Sequence, residues 1–339
     1  LACFEESGIG KAAEDAGARV IDIKREKDLI NVPIRNSRSD LRNVLLPRFV
    51  IEAEHLVDMP IFKSHVAMTF TCALKNMKGL VQDKVHYQMH QTNLADAMMD
   101  LWSVCPADLT IADLIRPAEG YGPHAAMPTE FGCIIASKDP VAVDATACRM
   151  VGLDINKVAY FKPAVERKLG VYSEKSIEIR GRTIEEVFTQ LWLPYMGGFE
   201  QWPEYNVYAK HACSSCLGLI GYSLEKVKSM PKKYAQRAGT NIVVGRHKEL
   251  PKGVKPGKNL VLVGDCTKRL KNQGIDCLFV EGCPPGEGGP AWAIADAEVP
   301  DMSEMTDDDI KNLRKKMEEE MPAWIAYCER LKAQQLGGK

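Results

Sequence analysis

The stretch NLVLVGDC (259–266), TKRLKNQG (267–274), DCLFVEGC (276–283) decides the reading of this chain. Two short apolar runs each end on a cysteine, and a basic stretch that closes at Gly274 separates them. Runs of this length and composition read as buried strands, and the intervening segment reads as a helix. A strand, a helix and a second strand make a unit of parallel sheet, in which ligands collect at the carboxyl ends of the strands. Cys266 and Cys283 stand just past two such ends, so the topology brings them together. Upstream, HACSSCLGLIGYSLEKV (211–227) supplies a C-x-x-C, Cys213 and Cys216, on a loop entering an amphipathic helix. Four thiolates converging on one edge make a metal constellation. A [4Fe-4S] cluster and a zinc ion both accept four cysteines, although structural zinc more often sits on two tight C-x-x-C knuckles. Small buried strand-end residues, with no metal, would explain each cysteine singly but not the set of four. Cys277 and the cysteines at 72, 105, 133, 148 and 328 read as core or incidental.

Outward from this unit, strand-like and helix-like stretches alternate through most of the chain. ARVIDIK (18–24) reads as a strand after a helix over 4–16. HLVDMPIFKSH (55–65), DLTIADLI (108–115) and FGCIIAS (131–137) read as strands, NLADAMMDLWSVC (93–105) as a helix. DPVAVDATACRMVG (139–152) is a helix with Asp139 as N-cap, Pro140 in its first turn and Gly152 at its exit. The Gly, Pro and aromatic residues between Pro194 and Tyr205 read as an interdomain connection, and TNIVVG (240–245) as a strand of the second domain. The expected fold is α/β: two layered domains with mostly parallel sheets, over 1–193 and 206–300, plus a charged C-terminal helix over 303–335 that lies over the surface or contacts a second subunit.

At 339 residues, with 45% hydrophobic and 26% charged residues and a net charge of -1, the composition is that of an ordinary globular protein of about two domains. Nothing in that charge points to nucleic acid or an anionic membrane, and no apolar run approaches the roughly 20 residues of a span. Eleven cysteines, odd in number and irregularly spaced, suit metal-bound thiolates in a reducing, cytoplasmic compartment better than a disulfide framework. Neither a dinucleotide-binding G-x-G-x-x-G in strand–helix context nor a phosphate-binding G-x-x-x-x-G-K-[ST] occurs.

MPIFKSHVAMTFTCALKNMKGLVQDKVHYQMHQ (59–91) is unusually polar for a strand and its following loop. Lys63, His65 and Lys75 are the candidate catalytic groups, and Asn76 and Lys78 extend the same patch toward an anionic ligand. Asp113 and Glu119 follow a strand and would stand on the rim. Gly120 and Gly122 would turn backbone N–H groups toward the ligand. His86 and His90 share a helix face, a spacing used by metal pairs but more often by solvated surface. Asp144, inside an apolar helix, needs a partner.

PIFKSH, ALKNMKGLV, DLTIADLIRPAEGYGP and IIASKDPVAVDATACRMVG resemble the domain-of-unknown-function 362 family, in order and spacing, over about residues 1–180. The resemblance implies an α/β fold and an iron–sulfur context. Family members commonly carry their cluster on a ferredoxin-like insert, which this chain lacks. A Lys-Pro-Asn strand usual at the family's start is also not found, so the chain reads as shortened there. GCPP (282–285) resembles the cluster-binding segment of the small iron–sulfur subunits of respiratory complex I and nickel–iron hydrogenases.

The expected function is that of an iron–sulfur redox enzyme or electron-transfer protein of anaerobic-type metabolism, acting on a small anionic ligand and supplied by a redox protein. A non-redox racemase or lyase with a structural metal centre is one alternative. A cluster or metal delivery protein is another.

Overall fold

The computed structural model describes residues 2–123, 125–193, 198–230, 237–286, 289–295 and 306–337. The connection expected from Pro194 therefore lies partly outside the described residues, as does the start of the C-terminal arm. Two short helices, Ala2–Glu6 and Ile9–Asp15, open the chain where one was expected. Gly8 between them adopts a left-handed conformation, which ends the first. ARVIDIK is not a strand. The Asp22 side chain accepts from Lys24 N at 3.1 Å and turns the chain into a single 3-10 turn, a local bond that competes with extension. The antiparallel hairpin β1 (Leu29–Pro33) and β2 (Asn43–Pro47) follows.

The first sheet contains β3 (Val57–Asp58), β4 (Ile61–His65), β5 (Thr69–Thr71), β6 (Leu109–Tyr121), β7 (Ala125–Pro128) and β8 (Cys133–Ser137). The long β6 is its spine. It runs parallel to β3 and β4 and antiparallel to β7 and β8, while β5 returns antiparallel to β4. This sheet is therefore mixed. Its carboxyl edge presents His65 and Tyr121 side by side. Against it lie α1 (Ala73–Asn76), α2 (Asp83–Gln91), α3 (Leu94–Val104) and α4 (Pro140–Met150). Phe62, Phe70, Leu74, Met98, Trp102, Val143 and Tyr160 fill the core between these layers.

Asp144 is fully buried in α4. Its two carboxylate oxygens accept from Ala73 N at 2.7 Å and Leu74 N at 3.1 Å, the first N–H groups of α1. A helix this short has no intrahelical partner for those donors, so one side chain from a distant helix fixes the turn that carries Lys75. Asp139 caps α4 as expected, accepting from Ala142 N at 2.8 Å, and also accepts from Val171 N.

The second sheet is wholly parallel: β9 (Asn206–Tyr208), β10 (Asn241–Val244), β11 (Leu260–Val263) and β12 (Leu278–Val280), neighbours in chain order. All four residues of β11 are buried. Val261 and Val263 face α5 (Ser214–Ser229), while Leu260 and Leu262 face Leu270 of α6 (Lys268–Lys271). Burial on both faces is why the run reads as continuous rather than alternating. The helix α7 (Gly289–Ile294) covers the α5 side.

The final helix α8 (Asp307–Leu336) starts at a Thr306 capping box. Its second half is bound by its own chain. Trp324 and Cys328 are buried against Tyr121, Trp192 and Tyr222. Tyr327 donates to Glu225, Lys332 pairs with Glu119, and Trp192 Nε1 donates to Gln335 at 2.7 Å. These contacts reach both domains, so this part of the helix is a clasp within the chain. No described helix is long and apolar enough to cross a membrane.

Removing the Asp144 carboxylate strands two buried backbone donors. Asp144→Ala should lower stability by about 2–6 kcal/mol, from roughly 1–3 kcal/mol for each of the two orphaned buried groups. Urea unfolding measures this. A loss under about 1 kcal/mol would mean that α1 is held by other contacts.

Candidate functional site

Cys213, Cys216, Cys266 and Cys283 line one cavity of about 460 Å3, together with Gln91, His211, Arg246, Asp265 and the backbone at Gly264 and Gly282. The parallel sheet explains the meeting. Gly264 N donates to Val280 O and Asp265 N to Gly282 O, so β11 and β12 stay paired up to their cysteines. The Asp265 side chain then accepts from Gly282 N at 3.0 Å. Cys213 is the N-cap residue of α5, and Cys216 lies in its first turn. Gly245 ends β10 at φ 94, and a Cβ there would lie 2.4 Å from Lys210 O and 2.6 Å from Ala212 N. Only glycine lets this strand end pass beneath the loop that carries Cys213.

Cys216 is buried, Cys213 is half-buried, and Cys266 and Cys283 are exposed at the mouth. The thiol pair at the helix start is polarised. Cys213 accepts from the Cys216 thiol and from backbone N–H groups of Cys216 and Ser215, which lower its pKa to about 6. Cys216 is held as the thiol by donating that bond and by burial. Burial pushes Cys266 up, opposed by the Gly245 N–H and by Arg246. Cys283 is likewise raised by burial and then by the nearby Cys213, and Arg246 again opposes. Amide N–H groups favour the thiolates of Cys213 and Cys266, and Arg246 those of Cys266 and Cys283, while the bond to Cys213 and burial hold Cys216, and burial holds Cys266 and Cys283, above the usual thiol range. Among the described residues, no three or more His, Cys, Asp or Glu side chains are grouped so as to hold a metal ion. The four thiols share a cavity wall instead. Cys277 packs with Leu270 and Phe279 on the other face of the sheet.

A second cavity of about 320 Å3 adjoins the first. His65, Lys75, Lys78, His86, His90 and Gly122 reach it from the first domain, and Ser215, Leu219, Tyr222, Pro284 and Pro285 reach it from the second. Pro284 follows Cys283 directly, and Ser215 lies between Cys213 and Cys216. The two cavities therefore share their wall.

Of the residues expected at an anion site, His65, Lys75, Lys78 and Gly122 come together here. Lys63 lies behind them on β4, its Nζ 3.3 Å from Ile61 O, close enough to disfavour the charge on Lys75. The other expected contacts are committed elsewhere. Asn76 donates to Asp58 at 2.7 Å. Asp113 accepts from Ile115 N of its own strand at 2.7 Å. Glu119 accepts from Trp192 N at 2.8 Å and pairs with Lys332. Gly120 N donates to Trp192 O, and Gly122 N donates to Ser64 Oγ, so neither N–H faces the cavity. Tyr121 and Tyr222 carried no local sequence signal for this cavity, and Pro284–Pro285 was legible only as part of a cluster-binding segment, because their meeting depends on how the two sheets and α5 pack.

The cavity is rich in bases and, among the described residues, has no carboxylate in its lining. Lys78 Nζ lies 2.9 Å from His86 Nε2 and 2.5 Å from His90 Nε2. The two histidines thus face the amino group of a lysine. His90 Nδ1 is 2.8 Å from Ser214 Oγ on α5. Burial lowers Lys78 to about 6, helped by Lys75 and Lys24. Burial also lowers Lys75, to about 7, with Lys63 assisting. His86 falls to about 4 and His90 to about 2, first through burial and then through Lys78. His65 is lowered by burial and by Lys75, and its Nδ1 accepts from Ala67 N at 3.0 Å. An arriving anion would restore protons to these groups.

Residues 1–149 match the family described as Domain of unknown function (DUF362). The matched stretch contains every first-domain residue of the cationic cavity, whereas the four cavity cysteines lie beyond it. The thylakoid-associated protein sll1697 of Synechocystis sp. is 30% identical over 115 residues, which make up 32% of this chain and 36% of that protein. The chain thus matches only about a third of that relative's length. No solved structure matches the chain.

Proposed function

We propose that this chain is an iron–sulfur protein of redox metabolism. Cys213, Cys216, Cys266 and Cys283 would hold a [4Fe-4S] cluster, and the adjoining cavity would bind a small anionic substrate. The observation that carries the reading is the convergence of the four thiols on one cavity, from two strand ends and one helix start. When bound, a cluster with four protein ligands supplies or accepts single electrons and offers no open iron to substrate. The donor types suit such a group, although the four thiols share a cavity wall and are not grouped as a metal site among the described residues, so they would have to close on it. Soft thiolates surround the space, Gly245 N–H and Arg246 compensate their charge, and Cys266 and Cys283 leave one side open to a redox partner. On the other side of the shared wall, Lys75 and Lys78 attract the anion. The tyrosines and prolines exclude water from it. Lys78, bonded to His86 and His90, is positioned to pass a proton.

Anaerobic purification followed by iron and sulfide analysis and by EPR before and after dithionite tests the metal half. Cys283→Ser should reduce bound iron several-fold, and Cys277→Ser should leave it unchanged. Equal losses would mean that the ligand set is wrong, and stoichiometric zinc in place of iron and sulfide would replace the cluster with a structural ion.

The substrate half predicts a pH dependence. Lys75 and Lys78, with pKa values of about 7 and about 6, are largely neutral at pH 8 and regain protons as pH falls. An anion favours the protonated forms, so its affinity should fall as pH rises. Oxalate binding should weaken roughly tenfold between pH 6 and pH 8, with proton uptake seen as a buffer-dependent enthalpy in calorimetry. Binding that is independent of pH and buffer would remove these lysines from the site.

A further inference from the structure

The five bases of the cationic cavity are not equivalent. Lys78, His86 and His90 bond one another, and His65 accepts from Ala67 N. Lys75 alone among them has no hydrogen-bond or ion-pair partner among the described residues, although it lies in the cavity wall. It stands on α1, whose first N–H groups are fixed by the buried Asp144, so its backbone is held. The basic groups that face it are Lys63 and His65 from β4, Lys78 from the turn after α1, and His86 and His90 from α2. The phenols of Tyr87, Tyr121 and Tyr222 also line the cavity, and no carboxylate does among the described residues. A lysine that is desolvated, free of a carboxylate and beside other cations is in the environment that turns an ammonium into a nucleophilic amine.

We propose that Lys75 is a nucleophile, and that the cavity takes a small oxo acid whose carbonyl carbon Lys75 captures as an imine. This deepens the anion-site half of the function proposed above and does not depend on the metal. The neutral Nζ donates its lone pair to the carbonyl carbon, and the C=O π pair moves to oxygen. That oxygen takes up protons and leaves as water, while the nitrogen loses both of its hydrogens. The sum is amine plus ketone or aldehyde giving imine plus water, with no change of oxidation state. Lys78, supported by His86 and His90, is the group placed to protonate the departing oxygen. The volume of about 320 Å3 is roughly ten times that of a water molecule, which suits an oxo acid of few carbons. Burial lowers Lys75 to about 7, so a large share of it is unprotonated near neutrality, whereas an ordinary lysine near 10.4 is almost wholly charged there.

The test is reductive trapping on the full chain. Protein is incubated at pH 7.5 with pyruvate, 2-oxobutyrate or glyoxylate and cyanoborohydride, and the adduct is located by peptide mass spectrometry. Lys75 should label more than about tenfold faster than any surface lysine, given the difference in neutral fraction, and faster than Lys78, whose Nζ is engaged by His86 and His90. Lys75→Arg keeps the charge but cannot form the imine. It should lose the adduct while melting like the parent. Label spread evenly over surface lysines, no adduct from any of the three acids, or an undiminished adduct in Lys75→Arg would overturn the proposal. Oxalate binding by the parent chain separates the two ideas. If oxalate binds but nothing is trapped, the imine fails and the anion site stands. If neither occurs, both fail. Cys283→Ser should label at Lys75 like the parent, which makes the result independent of the cluster.

Discussion

The close approach of α5 to the turn after β4 is the contact on which both cavities depend. A Cβ at Gly218 would lie 2.8 Å from Val66 Cγ2 and 3.3 Å from Ala67 N. A glycine in the middle of a helix costs about 0.5–1 kcal/mol relative to alanine, and here it allows two domains to touch without a gap. One turn earlier, Ser214 meets His90. Leu219, the next residue, and Tyr222, one turn later, wall the cationic cavity, and Tyr222 stacks edge-on against Trp324 of α8. The same helix begins at Cys213 and Cys216. One element therefore positions half of the thiols and one wall of the anion site. Any shift of α5 against the first domain would change both cavities together.

The electrostatics follow from that docking. Covered by α5 and the Pro284–Pro285 turn, Lys75, Lys78 and the histidines lose hydration with no carboxylate in the lining to replace it. Desolvation penalises the charged form of each, and each raises the cost for the next. Counter-charge is present in this chain but is used elsewhere. Glu119, which the sequence placed beside the ligand, holds Lys332 and Trp192 N. Asp58 faces Asn76, and burial raises its pKa to about 6. The cavity is thus left short of negative charge, which is the usual physical signature of a site built to receive it.

How far the sequence was legible depended on the range of the forces involved. Leu260–Val263 declared itself a buried strand because sheet neighbours cover both faces, and the positions of Cys266 and Cys283 followed from parallel topology alone. Asp139 was legible because capping is local. ARVIDIK was misread because a side-chain bond from Asp22 overrode an apparently extended run. The single helix expected over 4–16 is broken by the left-handed Gly8. Glu119 was misassigned because its partner, Lys332, is 213 residues away. Gly120 and Gly122 looked like an N–H cradle, yet their N–H groups bond Trp192 and Ser64. Asp144 announced only that a buried carboxylate needs donors, and its donors came from the turn bearing Lys75.

His90 links the two halves of the site, and its two ring nitrogens do different work. Ser214 Oγ lies 3.5 Å from His90 O, toward which it directs its own hydrogen. Its lone pairs are then free for a proton on His90 Nδ1, 2.8 Å away. That tautomer leaves Nε2 as an acceptor for Lys78, at 2.5 Å. The ring therefore carries its proton toward α5 and its lone pair toward the anion cavity. Burial first, and then the charge a protonated Nε2 would place beside Lys78, drive the His90 pKa down to about 2. The arrangement keeps His90 neutral and makes Lys78 the group that takes and gives the proton. It also ties the orientation of Lys78 to the residue immediately after Cys213. Three side chains in contact, Ser214, His90 and Lys78, thus run from the start of α5 into the cavity of about 320 Å3.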